Sequence, residues 1–173
     1  MVAIRALVIE KRNTPRLLLK QHNDNARRSY QEIGGMFLRD MVLVRFTAAH
    51  AQEAGYVKRK GELLPPGSKA FKRSYSGKKF KRFGHMRPLE FSGDTKREIK
   101  QGAHVKVTKN GARVVFPAAR KFNLRHPTSQ IRMNEEFRSI TTREAQTLGQ
   151  AFDRTYNTLI NRGSPETIIT KIG

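Results

Sequence analysis

Residues 56–99 read YVKRKGELLPPGSKAFKRSYSGKKFKRFGHMRPLEFSGDTKREI, and the way this stretch folds decides what the rest of the chain can be. Its first part is cationic. Between Val57 and Arg87 stand Lys58, Arg59, Lys60, Lys69, Lys72, Arg73, Lys78, Lys79, Lys81, Arg82 and Arg87, eleven bases against one acid, Glu62. Phe71, Tyr75, Phe80 and Phe83 are interleaved with the charge. Pro65-Pro66-Gly67 marks a turn, and no hydrophobic periodicity holds from Lys58 to Met86. A structureless run of roughly thirty residues is unusual inside a compact domain and points to a functional or disordered arm. A long twisted hairpin with Ser76-Gly77 at its tip is the folded alternative. Past Arg87 the charge gives way to Pro88-Leu89 and Ser92-Gly93. A short helix is expected over Asp94–Lys100, with Ser92 as its cap and Asp94 favourably placed near its N-terminus.

Upstream, Asn13-Thr14-Pro15 combines a capping side chain with a first-turn proline and predicts a helix start. Leu19, Ala26, Tyr30, Ile33, Phe37, Met41, Val44, Ala48 and Ala51 then recur in steps dominated by three and four, which is one helical face. A straight helix from Thr14 to Ala51 would be about 57 Å long, against a diameter of roughly 40 Å for a compact domain of this size. It must protrude or bend, and Gly34-Gly35 is the expected break. Leu43 and Phe46 broaden the stripe, as a core helix or one buried against a neighbouring subunit would require. Gly55 ends it. Before it, the β-branched Val2–Ile9 segment predicts a strand.

Downstream, His104–Thr108 alternates, Asn110-Gly111 is a hairpin turn, and Arg113–Phe116 returns as the second strand. Pro117–Met133 reads as loop and Glu136–Ile140 as a short strand. Thr141-Thr142-Arg143-Glu144 is a capping box. It opens a helix carrying Ala145, Leu148, Phe152, Tyr156, Leu159 and Ile160 on one face, closed by Gly163 with Pro165 beyond. The Ile168, Ile169, Ile172 tail could add an edge strand. No internal repeat is expected. The whole is an α+β chain: a small antiparallel β-sheet packed by a long N-terminal helix and a C-terminal amphipathic helix, with a long basic arm. Residues 1–173 form one domain, divided into strand and long helix (1–55), basic arm (56–88), and hairpin sheet with C-terminal helix (89–173).

Composition narrows the class. The chain has 173 residues and a formal net charge of +21, which repels itself and attracts polyanions. Nucleic acid is the commonest such partner, and an acidic protein ring would also serve. There is no cysteine, hence no disulfide and no thiolate metal site. No apolar run is long enough to span a membrane, and the N-terminus lacks the features of a secretory signal. Assembly inside a cell is expected. His22, His50, His85, His104 and His126 show no metal-ligand spacing. Glu135 and Glu136 would point to opposite faces of a strand, while Glu144 and Asp153 look like solvated charge flanking the last helix. No phosphate loop, nucleophile elbow or carboxylate cluster is present, so neither enzyme activity, cofactor nor metal is expected.

The order of basic segment, Pro88-Leu89, Ser92-Gly93, helical turn reaching Ile99, hairpin, basic loop and amphipathic helix resembles the tail-completion, or virion-morphogenesis, proteins of tailed phages. In that family a proline–leucine pair, two spacers, Ser or Thr with Gly, and an apolar residue some six places on introduce the core sheet. Pro88, Leu89, Ser92, Gly93 and Ile99 fit this, and Thr95 stands where members often carry leucine. The resemblance implies a non-enzymatic virion subunit assembled in the host cytoplasm. It would form a homo-oligomeric ring at the neck, between head connector and tail. The basic arm would meet a neighbouring subunit, a connector or tail-tube protein, or non-specifically the DNA in the channel. The main alternative is a ribosomal or other RNA-binding structural protein. An architectural DNA-binding protein comes third and an enzyme last.

Overall fold

The structure, a computed structural model, describes residues 14–108, 110–123 and 129–163. The predicted strand at 2–9 and the C-terminal edge strand lie outside these residues. The first helix, α1 (Thr14–Met36), already runs at the first described residue. It does not break at Gly34-Gly35. The backbone widens into a π turn over Phe37–Met41, tightens into a 3-10 turn over Leu43–Phe46, and resumes as α2 (Ala48–Glu53), capped by Thr47. The Val42 amide reaches back five residues to the Phe37 carbonyl at 3.1 Å. That extra residue shifts the helical phase. Val42, Arg45 and Phe46 therefore turn inward, whereas Val44, assigned to the buried stripe by a constant period, is 43% exposed.

Gly34 serves a different purpose. A Cβ there would fall 2.6 Å from Cγ1 of Val105, so the glycine lets the α1 backbone lie directly on the β-hairpin. The hairpin pairs β1 (His104–Thr108) with β2 (Gly111–Val115) in antiparallel register, His104 opposite Val115 and Thr108 opposite Gly111. Gly111 is thus the first residue of β2, one place earlier than the expected Asn110-Gly111 turn would allow, and the strand runs Gly111–Val115 where Arg113–Phe116 was expected. The hairpin is the whole sheet among the described residues.

The core lies beside this layer. Val42, Phe46, Tyr56, Leu89, Ile99, Ala119, Phe122 and Phe137 form one buried cluster, drawn from the broken helix, α5 (Asp94–Gly102), a 3-10 segment (Pro117–Asn123) and α6 (Met133–Arg138). The strand expected at Glu136–Ile140 is the end of α6 and the residues after it, and Glu136 and Phe137 are both buried there. The final helix, α7 (Thr142–Gly163), packs along α1, with the Tyr30 and Phe152 rings 4.8 Å apart. Its capping box is formed: the Thr141 amide donates to Glu144 Oε2 (3.1 Å) and the Glu144 amide to Thr141 Oγ1 (3.2 Å).

Glu144 is not solvated charge. It accepts from both terminal guanidinium nitrogens, Nη1 and Nη2, of the fully buried Arg45, at 2.7 and 3.1 Å. Arg45 also donates to the carbonyls of Met41, Phe137 and Ser139 at 2.9, 3.0 and 2.9 Å. One side chain thereby ties the broken helix, the end of α6 and the start of α7 together. A buried charge is tolerated only when paired and fully hydrogen-bonded, and this one is.

Candidate nucleic-acid interface

The basic stretch is folded. In place of a structureless arm or a twisted hairpin, it forms two short helices, α3 (Lys69–Arg73) and α4 (Tyr75–Phe83). Ser76 and Gly77, expected at a hairpin tip, lie inside α4 and are buried. Ser68 caps α3 by accepting from the Phe71 amide (3.0 Å), and Ser74 caps α4 by accepting from the Gly77 amide (3.1 Å). Gly84 closes α4 in the left-handed region at φ 71°, donating to the Phe80 carbonyl at 2.8 Å. These signals, Ser68, Ser74 and Gly84 at cap positions, stand in the sequence. A five-residue and a nine-residue helix give too few turns to set these signals in a long hydrophobic period.

The two helices touch backbone to backbone. A Cβ on Gly77 would sit 1.9 Å from the Phe71 carbonyl oxygen, so only glycine permits this approach. The module is fastened to the core by its own cations. Arg59 pairs with Glu136, whose Oε1 also accepts from the Val57 amide at 2.9 Å. Glu62 turns back to accept from the Arg59 amide (3.0 Å), and Ser76 Oγ donates to the Lys60 carbonyl (3.2 Å). Lys79 is buried and its ammonium donates to the Arg87 carbonyl. Burial pushes the Lys79 pKa down to about 8, with the Arg59 charge adding to the fall. The Tyr75 ring stacks on Phe91 (centroids 5.8 Å apart), and Phe83 meets Phe91 edge-on at 4.9 Å.

The eleven bases therefore divide. Arg59 and Lys79 point inward and hold the structure, and Arg87 reaches Glu90 at 3.5 Å. Lys58, Lys60, Lys69, Lys72, Arg73, Lys78, Lys81 and Arg82 are exposed. Among the described residues none of these eight forms an ion pair. Phe80 lies among them, 51% exposed.

The Pro88–Ile99 motif forms the joint between this module and the core. Pro88, Leu89 and Glu90 are buried, and Leu89 holds φ 55°, a left-handed conformation that a branched residue keeps only when its surroundings demand it. Glu90 accepts from Arg87 and, at 3.4 Å, from Lys96, with His85 at 3.7 Å. Gly93, at φ 89°, takes the cap position of α5 without a capping side chain. Ser92, the expected cap, stands one place earlier and bonds to Asp94 instead, donating to Oδ2 at 2.6 Å. Ile99 is fully buried in the core.

Among the described residues no group of three or more His, Asp or Glu side chains converges as a metal site would require. No helix there is long and apolar enough to cross a membrane. Comparison with known proteins finds no matching family model, no matching curated protein and no matching solved structure.

Proposed function

We propose that this chain is a non-enzymatic structural subunit of a tailed-phage virion, a tail-completion or neck protein that assembles as a ring between head connector and tail. The observation that carries this reading is the position of the Pro88–Ile99 motif. Leu89 and Ile99 both enter the core, and the segment between them joins the basic module to the hairpin layer. The motif that carries the resemblance is thus one that organises this fold. Surface chemistry agrees with a subunit built to be covered. Leu17, Leu18 and Leu19 on α1 are each about 60% exposed, and Ile160 on α7 is 40% exposed. The basic module supplies a second, chemically different face. A ring needs two unlike patches that meet head to tail.

The exposed Phe80 among lysines favours one rival, a structural RNA-binding protein, because such a ring can stack on an unpaired base. Sedimentation of a native lysate after a high-salt wash, with mass spectrometry of each fraction, separates the two. The neck subunit travels with nuclease-resistant particles of virus size. Recovery with ribosomal subunits would retire the phage reading.

A further inference from the structure

A five-residue unit occurs twice in the basic module, nine places apart: Lys69-Ala70-Phe71-Lys72-Arg73 and Lys78-Lys79-Phe80-Lys81-Arg82. The first copy is all of α3 and the second lies within α4. Its two middle positions behave differently in the two copies. Ala70 is exposed where Lys79 is buried, and Phe71 is buried where Phe80 is exposed. The first, fourth and fifth positions behave alike. Lys69, Lys72, Arg73 and Lys78, Lys81, Arg82 are all exposed and all without a carboxylate partner among the described residues. Positions one, four and five stand at i, i+3 and i+4, which share a helical face, so each helix presents one cationic triad.

Two like-charged triads on helices pressed together at Gly77 repel each other. That repulsion opposes folding. The one acid of the region, Glu62, accepts from the Arg59 amide and forms an ion pair with none of the six. We infer that the paired triads of α3 and α4 bind the sugar–phosphate backbone of nucleic acid, without reading bases. The inference rests on the proposed role of this module as an assembly face and deepens it by naming what the face meets. An acidic protein is the other polyanion available, and the chemistry disfavours it. Protein interfaces deplete lysine at their centre and set apolar anchors there. The two triads are four lysines and two arginines, with the 51% exposed Phe80 between Lys78 and Lys81. Lysine acts on phosphate as a hydrated point charge, and such contacts position a protein on nucleic acid without conferring sequence specificity.

The test is fluorescence anisotropy of the full chain with a labelled duplex DNA of about 30 base pairs, titrated between roughly 50 and 200 mM NaCl. Single-stranded RNA, and poly-L-glutamate at matched charge, form parallel arms. Six phosphate contacts give a log–log salt slope of about −5 on duplex DNA, equal for unrelated sequences. The triple variant K78Q/K81Q/R82Q makes that slope shallower by about 2.7. Removing three exposed arginines from α7 (R143Q/R154Q/R162Q) leaves it unchanged, with both variants checked by circular dichroism for native helix. Equal loss of slope in the two variants would overturn the inference, because net charge alone would then explain binding. So would tighter binding to poly-L-glutamate than to either nucleic acid, which would assign the face to an acidic protein. Stronger binding to single-stranded RNA than to duplex DNA would keep the phosphate face and identify its source. A chain that travels with particles yet shows no change of slope in the triple variant keeps the neck reading and loses this one. A localised slope change without particle association does the reverse.

Discussion

Lys79 stands in a row of lysines, yet its ammonium is buried against the Arg87 carbonyl while Lys78 and Lys81 on either side face solvent. The difference has a consequence in pH. Its pKa falls from 10.5 to about 8 on folding, so between these values the unfolded chain binds the proton and the folded chain does not. Stability from this group accordingly rises as pH climbs through that window. Tyr56 works in the opposite sense: burial raises its pKa from 10.0 to about 12, so its contribution is lost only above pH 10. Between pH 8 and 10 the urea midpoint of the native chain should climb relative to Lys79→Met, by up to about 2 kcal/mol in unfolding free energy. Parallel curves for the two proteins would mean that Lys79 is solvated. Arg45 teaches the same lesson. Nothing in the segment Val42–Phe46 distinguishes an arginine that joins three parts of the chain from one facing solvent. Its partners, at Phe137, Ser139 and Glu144, lie far away in sequence.

Elements with their own local signals were legible. α7 could be bounded because Thr141 and Glu144 satisfy each other's backbone donors and a stripe follows them. The hairpin was visible from alternation, with β1 at its expected bounds and β2 starting two residues before the expected Arg113 and ending one before Phe116. The helical region ended by Gly55 as expected. What could not be seen was a change of helical period without a proline or glycine to announce it. The π and 3-10 turns over residues 37–46 rotate the inward face, and a fixed period carries Val44 to the wrong side. The pair α3 and α4 escaped for a related reason, since neither is long enough to reveal a stripe. Their contact depends on Gly77. Gly77→Ala should force the helices apart and cost about 1–3 kcal/mol, the range expected for overpacking a tight contact, as measured by chemical denaturation. A neutral alanine would mean that α3 and α4 are not in contact.

The whole molecule holds two regions of unlike character. A buried cluster around Phe46, Ile99 and Phe137 is completed by paired internal charges, while the basic module projects eight exposed cations fastened to that cluster through Arg59, Lys79 and the Leu89 joint. This division decides between a surface prepared in advance and an arm that takes shape only on assembly. Composition favoured the second, because a run of eleven bases with no period resembles a segment that folds on contact. Capped helices, a glycine-only backbone contact and inward-facing cations favour the first. Hydrogen exchange on the free, purified chain tests this most directly. The Lys72 and Lys78 amides, bonded to the Ser68 and Ser74 carbonyls at 3.0 Å, and the Gly84 amide on Phe80 should be protected before any partner is added. Exchange of these amides at the rate of an unfolded peptide, with protection gained only on assembly, would contradict the prepared surface.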